Sequence, residues 1–336
     1  MSARLAGLAD AMKLPRRRFL HLAAGAAALP ALARVAWAQT YPARPVRLIV
    51  GFPAGGAQDV HARLIGEWLS QRLGQPFVIE NRPGAGTNIA TEAAVRAPAD
   101  GHTLLLVVAA NTVNATLYDK LNFDFLRDIA PVASISRVPL VMAVNPSVPA
   151  RTVPEFLAYA RANPGKIAMG STGNGGTPHV AGELFKMMTG IDMTNVPFRG
   201  AEPAQAGLIE GRAQVTFSLL PEAIENIRAG KLRALAATTA ARAEAVPDLP
   251  TVGDFVPGYE ASTWNGIGAP RNTPIEIIEQ LNKTINAGLA DPGIKARIAE
   301  LGSVVLPGSS ADFGKFIANE TEKWAKVVKF AGLKPE

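Results

Sequence analysis

The chain has 336 residues, no cysteine, 34 basic and 28 acidic side chains, and a formal net charge of +6. Six of the basic residues (Arg4, Lys13, Arg16, Arg17, Arg18 and Arg34) and one acid (Asp10) fall in residues 1–38, so the remainder is close to +1. That balance excludes the broad basic face a nucleic-acid partner needs, and the missing thiols exclude disulfides, thiolate catalysis and cysteine-based zinc sites.

The first 38 residues read as an export signal. Arg16-Arg17-Arg18 precedes the apolar stretch from Leu20 to Leu32, and Ala36-Trp37-Ala38 closes it with the small-residue pattern of a cleavage site. The paired arginines ahead of Phe19-Leu20 have the form of a twin-arginine signal. Cleavage is expected after Ala38, with the mature protein in the periplasm. The stretch is too short to span roughly 30 Å of hydrocarbon. Beyond it the longest apolar run, Leu104 to Ala110, is strand-sized, so no membrane span is expected.

The rest is long enough for two domains, and it alternates short β-branched runs with helical patterns. Val46 to Val50 is a strand; Val60, Leu64, Trp68 and Leu69 recur at helical spacing, and Gly74 stops that helix. A strand at 77–79, a short helix through Val95 and a buried strand from His102 to Val108 follow. Thr152 and Glu155 form a capping box. Strands at 166–169, 194–196, 213–217 and 232–236 then alternate with helices at 178–188, 201–210 and 221–229. The last section reads as mostly helical, with Thr273-Pro274-Ile275-Glu276 as an N-terminal signature and a final helix from about Ser309 to Phe330.

Catalytic signatures are missing. Gly170-Ser171-Thr172-Gly173 lacks the spacing of a nucleophile elbow, Gly230-Lys231 lacks a phosphate loop's first glycine, and Gly84-Ala85-Gly86 has isoleucine where a dinucleotide fingerprint needs its third glycine. His61, His102 and His179 lie in separate elements, so no metal and no cofactor is expected. What remains is two glycine-rich loops, Gly51 to Gly56 and Gly170 to Pro178, each between a strand and a helix. Parallel α/β sheets present ligands there. Glycines let backbone N–H groups converge, and the helix behind adds unpaired amides carrying about half a positive charge, which makes an anion cradle. Ser171, Thr172 and Thr177 add hydroxyls. Asp59 is read as a cap or a partner for Arg63, Arg199 as an exposed loop residue, and Trp264 as core with Asn265 beside it.

These residues carry a resemblance. The stretches GFPAGGAQDVHAR (Gly51 to Arg63), NRPGAGTNI (Asn81 to Ile89), DGHTLL (Asp100 to Leu105), GSTGNGGTPHVAGELF (Gly170 to Phe185), VPFRGAEPA (Val196 to Ala204), DLPTV (Asp248 to Val252) and WNGIGAP (Trp264 to Pro270) occur in the right order. The chain resembles the Bug-type, or TctC-type, extracytoplasmic solute receptors of tripartite tricarboxylate transporters. The resemblance implies an α/β, two-lobed periplasmic-binding-protein fold, type II-like, with mixed sheets flanked by helices and a ligand cleft between the lobes. Lobe one would comprise residues 39–138 plus 262–336 and lobe two residues 139–261. The crossovers at 134–138 and 259–264 would act as the hinge.

Carried over from the family, ligand contacts fall on Phe52, Ala54, Gly55, Gly56 and Asn111 in lobe one and on Ser171, Gly175, Gly176, Thr177 and Ser218 in lobe two. Asn111 is placed in the loop after the third strand. The implied ligand is a small di- or tricarboxylate or related organic acid; the implied partners are the membrane permease subunits, with a monomeric receptor and no nucleic acid. The sequence departs from its relatives in three places. Gly176 stands where many carry serine or threonine, Asn265 replaces a frequent tyrosine, and Ser218 offers no carboxylate for the ammonium of an amino acid. The alternatives are a periplasmic hydrolase using Ser171 with His179, and a receptor that signals without a permease.

Overall fold

The computed structural model describes residues 41–335. The expected export signal, its arginine pattern and the cleavage site after Ala38 lie outside the described residues. From residue 44 onward the chain forms one unit.

The first half of this unit begins with β1 (Val46–Val50), α1 (Ala57–Leu73), β2 (Phe77–Asn81), α2 (Asn88–Val95), β3 (Thr103–Val108) and α3 (Ala109–Leu117). Short α4 (Phe125–Asp128) leads into β4 (Ile129–Val144), and then come α5 (Val153–Ala162), β5 (Ala168–Ser171), α6 (Thr177–Thr189), β6 (Thr194–Pro197) and α7 (Ala201–Ile209). The chain continues through β7 (Val215–Leu219), α8 (Leu220–Arg228), β8 (Arg233–Ala237), β9 (Ser262–Pro270), α9 (Ile275–Ala290), α10 (Pro292–Glu300), β10 (Val304–Val305) and α11 (Ser310–Ala331).

Two mixed sheets share one long strand. β1 pairs in parallel with β2 and β3, and β3 pairs antiparallel with β9. β4 runs antiparallel to β9 from Ile129 to Pro139; from Leu140 to Val144 it pairs instead with β7 and β8. The parallel pairs β5–β6 and β5–β7 complete the second sheet. The change of partner at Pro139–Leu140 lies just beyond the predicted crossover at 134–138. The return is marked by the Ala261 N–H bonding to Thr238 O at 2.9 Å, immediately before β9 begins.

Alternation along β4 shows that the second sheet is covered on both faces. Leu140, Met142 and Val144 enter one core with Phe185, Phe217 and Tyr259, whereas Val141 and Ala143, one residue out of phase, pack under α8 and α7 with Ala223 and Leu208. The first core also takes Val113 and Leu117 from α3 and Trp324 and Val327 from α11, so the last helix bears on elements of both sheets. Trp264 is buried as expected, and its indole N–H and that of Trp324 both donate to Oε2 of Glu320, at 3.1 and 2.9 Å. Fully burying aromatic side chains of this size stabilises by about 1.5–3 kcal/mol each.

Two expectations are corrected, and two strands were not anticipated. The segment at 109–117 is a helix, which places Asn111 in α3 and outside any loop. The region from Ile129 to Val144 and the stretch from Ser262 to Pro270 are the two longest strands, although neither alternates cleanly in sequence. Thr273 does not cap α9: its hydroxyl donates to Pro270 O at 2.8 Å, and Pro274 occupies the cap position.

Candidate functional site

The two glycine loops fold into the same local device. In the first, Gly55 has φ +84°, and its N–H donates to Oδ2 of Asp59 at 2.9 Å. Gly56 then caps α1 with extended backbone (φ −74°, ψ 164°), and its C=O accepts from Val60 at 3.0 Å. In the second, Gly175 has φ +70°, and its N–H donates to Nδ1 of His179 at 3.1 Å. Gly176 caps α6 (φ −66°, ψ 159°) and accepts from Val180 at 3.0 Å. An L side chain is strained at those positive φ values, which is why both positions carry glycine.

Each residue that anchors a loop is itself held one helical turn further on. Arg63 Nε donates to Asp59 Oδ2 at 2.8 Å, and Asn81 Nδ2 donates to Asp59 Oδ1 at 2.8 Å and to Phe52 O at 3.0 Å. Burial raises the Asp59 pKa, but the hydrogen bonds from Arg63, Gly55 and Asn81 outweigh it and hold the carboxyl at about 2. In the second loop, Nδ1 of His179 accepts the hydrogen bond from Gly175, which leaves Nε2 to carry the ring hydrogen, 3.7 Å from Oε1 of Glu183. Lys186 Nζ lies 3.0 Å from the same oxygen. Burial pushes the Glu183 carboxyl up, yet His179 and Lys186 bring it below its ordinary value.

The shared spacing was visible in sequence: Gly55-Gly56-x-x-Asp59-Val60-x-x-Arg63 parallels Gly175-Gly176-x-x-His179-Val180-x-x-Glu183. By residue type, Asp59 and His179 look unrelated. The structure gives them one role, from a carboxylate in the first loop and an imidazole in the second.

Neither cap glycine has a side chain to accept from the first-turn amides, so those donors of α1 and α6 lack the usual side-chain cap. Ala54, Gly55 and Gly56 are exposed, and Phe52, Gly175, Gly176 and Thr177 are partly exposed. Ser171, at the end of β5, is only 1% exposed, and its Oγ has no hydrogen-bond partner. A buried hydroxyl without a partner costs about 1–3 kcal/mol, which a ligand oxygen or water recovers.

Two predicted contacts are otherwise engaged. Asn111 Oδ1 accepts from Val108 N at 2.8 Å, and its Nδ2 donates to Thr87 and Thr91 at 3.1 and 2.9 Å, so the amide braces the loop that precedes α2. Ser218 Oγ donates to Thr216 at 2.9 Å and accepts from Gln205 Nε2 at 2.8 Å. Ser218 pairs with Val141 and faces α7, whereas Ser171 continues the alternation of Met169 toward α6. Gln205 Oε1 and Asn88 Nδ2, both buried and without a partner, were not anticipated.

The loops approach common ground at α3. A Cβ on Gly175 would stand 2.9 Å from Leu117 Cδ2, and one on Gly51 would stand 2.7 Å from Cβ of Thr87, the residue Asn111 holds. Asn265, in β9, links Ser136 to Gln58 of α1 through two 3.2 Å bonds. His179 meets Gly175 through Nδ1, and its Nε2 lies 3.7 Å from Glu183 Oε1, so both ring nitrogens face its own loop and helix. Arg199 is exposed.

Two mixed sheets that share the long strand β4, with a glycine loop at the head of a helix in each, have the architecture of the periplasmic-binding-protein class. Residues 61–333 match the tripartite tricarboxylate transporter family receptor, TctC, and the chain belongs to that family of periplasmic receptors. It is 36% identical to Protein BugT of Bordetella pertussis over 300 residues, covering 88% of this chain and 92% of that protein. Among solved structures it is similar to Rpa4515 of R. palustris with adipate, at 39% identity and a TM-score of 0.73, covering 88% of this chain and all of the other. It is also similar to MatC of Rhodopseudomonas palustris with bound malate, at 30% identity and a TM-score of 0.69, covering 86% of this chain and all of the other. Among the described residues no helix is long and apolar enough to cross a membrane.

Proposed function

We propose that this protein is exported, loses its first 38 residues after Ala38, and captures a small dicarboxylate in the periplasm as a monomer, without transforming it. Lobe one (39–138 plus 262–336) and lobe two (139–261) close on the ligand, and the permease subunits of a tripartite tricarboxylate transporter receive it. Residues near Pro139–Leu140 and Ala261–Ser262 flex as the lobes move rigidly. The ligand's greater affinity for the closed arrangement supplies the bias.

The observation that carries this reading is the twin loop: two uncapped helix N-termini, one per sheet, each preceded by a positive-φ glycine whose amide is already tied back. A carboxylate accepts from the free amides of Gly56 and Ala57 on one side, and from those of Gly176 and Thr177, the Thr177 hydroxyl and Ser171 Oγ on the other. Phe52, Ala54, Gly55 and Gly175 shape the walls. Asn111 and Ser218 act one step back, holding the backbone to which the contacts belong. The adipate and malate of the two solved relatives support a ligand with two carboxylates.

Calorimetric titration with C4–C6 dicarboxylates and citrate tests the proposal. Dissociation constants near the micromolar range, corresponding to about 8 kcal/mol, are expected for at least one of them. If none binds while an amine or a sugar does, the reading is wrong.

A further inference from the structure

Besides the strand segments that pass between the two sheets, one helix does so. α11 has 22 residues and is about 33 Å long. Its first half enters the core of the first sheet, where Phe313 and Ile317 join Ile49, Leu105, Val107 and Trp264. Its second half enters the other core, where Trp324, Val327 and Val328 join Leu140, Met142, Phe185 and Phe217. An uninterrupted helix has no sharp bend of its own. A change of angle between the sheets must therefore be taken up where the packing of α11 changes, between Ile317 and Trp324.

One chain of polar contacts ties the three passages together at that level. On the outgoing strand β4, Arg137 Nη1 donates to Glu260 Oε1 at 2.7 Å, and its guanidinium lies 5.5 Å from the centre of the Phe316 ring of α11. On the returning segment, Glu260 O accepts from Lys323 Nζ at 3.2 Å, and Lys323 also pairs with Glu320. Glu320 is buried, and its Oε2 accepts the indole N–H of Trp264, from β9, and that of Trp324, one turn along α11. Both indoles are buried too, and they belong to different cores. One carboxylate oxygen thus holds a ring of one core against a ring of the other. Burying a carboxylate is costly unless its oxygens are partnered, and bonds to a charged acceptor are strong and directional, so the oxygen fixes where both rings lie.

We propose that Glu320 is a positioning residue for ligand capture: its bonds to Trp264 and Trp324 set the resting angle between the sheets, and so the angle at which the two glycine loops face a dicarboxylate. This role rests on the two-lobe capture proposed above. The hydrogen bonds of Glu320 go to the two indoles and to Lys323, none of them in either loop. It acts through populations: where only a fraction of the molecules holds the competent arrangement, the measured affinity is weakened by that fraction. Loosening the joint lowers the fraction and leaves the loops' own contacts intact.

The chain has no cysteine, so Gln71→Cys on α1 and Ala162→Cys on α5, both at exposed positions, carry a pair of spin labels without competition. Double electron–electron resonance reads the distance between them with and without saturating adipate, and calorimetry reads adipate affinity. Both are measured in the labelled parent and in Glu320→Ala, Glu320→Gln and Trp324→Phe, with thermal melts to confirm folding. Glu320→Ala should broaden or shift the ligand-free distance distribution and weaken adipate binding by about tenfold or more. Trp324→Phe keeps a ring and loses one N–H, so it should do the same to a smaller extent and carries the test if the alanine variant does not fold. Glu320→Gln, whose carbonyl oxygen can still accept from both indoles, should restore most of both properties. One ligand-free distribution shared by the parent and the folded variants would overturn the proposal, as would equal effects of alanine and glutamine. If the parent itself fails to bind adipate, the capture reading falls by itself, and the ligand-free distances still decide whether Glu320 sets the angle.

Discussion

The Gly175 amide donates to Nδ1 of His179 across 3.1 Å, four residues along the chain. This bond turns the end of a loop into a rigid approach to helix α6: the left-handed glycine has its own amide tied back, and the next residue begins the helix with its amides pointing outward. The Gly55–Asp59 pair does the same for α1. An imidazole and a carboxylate perform one mechanical task.

Replacing His179 with alanine removes the acceptor and leaves the Gly175 N–H partly buried and unpaired, a cost of about 1 kcal/mol. Dicarboxylate affinity should fall by about tenfold as the loop loses its shape. Asparagine, whose carbonyl oxygen can stand in for Nδ1, should restore most of it. Equal losses in both variants, measured by calorimetry, would mean the bond does not position the loop.

The two glycines should differ in their tolerance of alanine. A Cβ on Gly55 meets nothing within 4 Å, so only the positive φ is penalised, by about 1 kcal/mol. On Gly175 the same atom also meets Leu117, 2.9 Å away, adding about 1 kcal/mol or more of overpacking. Thermal melts should rank Gly175→Ala below Gly55→Ala. Adding Leu117→Ala should lessen the effect of Gly175→Ala, as a double-mutant cycle would register.

Ser171→Ala should leave stability within about 0.5 kcal/mol or raise it, because the buried hydroxyl it removes has no partner in the free protein. Affinity for the dicarboxylate should nevertheless fall by about tenfold. A destabilised variant that binds normally would show that the hydroxyl serves the fold.

Acid should unfasten the first loop only as pH approaches 2. The folded pKa of Asp59, about 2, lies below its unfolded value of about 3.9. Its contribution to stability is therefore fully present above pH 4 and lost as pH falls toward 2. Because Arg63 is half exposed, that contribution is about 1–2 kcal/mol rather than the full shift. Asp59→Asn should lower the melting temperature at pH 7 and flatten its decline between pH 4 and 2. A parallel decline in both proteins would contradict the assignment.

Both glycine loops were legible in the sequence, as were the strand before and the helix after each, because a positive-φ turn and a helix start are written within about five residues. The spacing that ties Gly55 to Asp59 and Gly175 to His179 is equally local. The roles of Asn111 and Ser218 were not legible: Asn111 is fixed by Thr87 and Thr91, 24 and 20 residues earlier, and Ser218 by Gln205 on a neighbouring helix. β4 and β9 escaped for a related reason. Both are buried among neighbours, so their residues show no alternation, and their mutual register joins positions more than 120 residues apart, as at Ser136 and Asn265. The sequence alone determined the local shape of the two glycine loops, since short-range backbone sterics and helix ends decide that. Only the tertiary structure decided which polar groups remain free to meet a ligand, because a donor's availability depends on every other group packed against it.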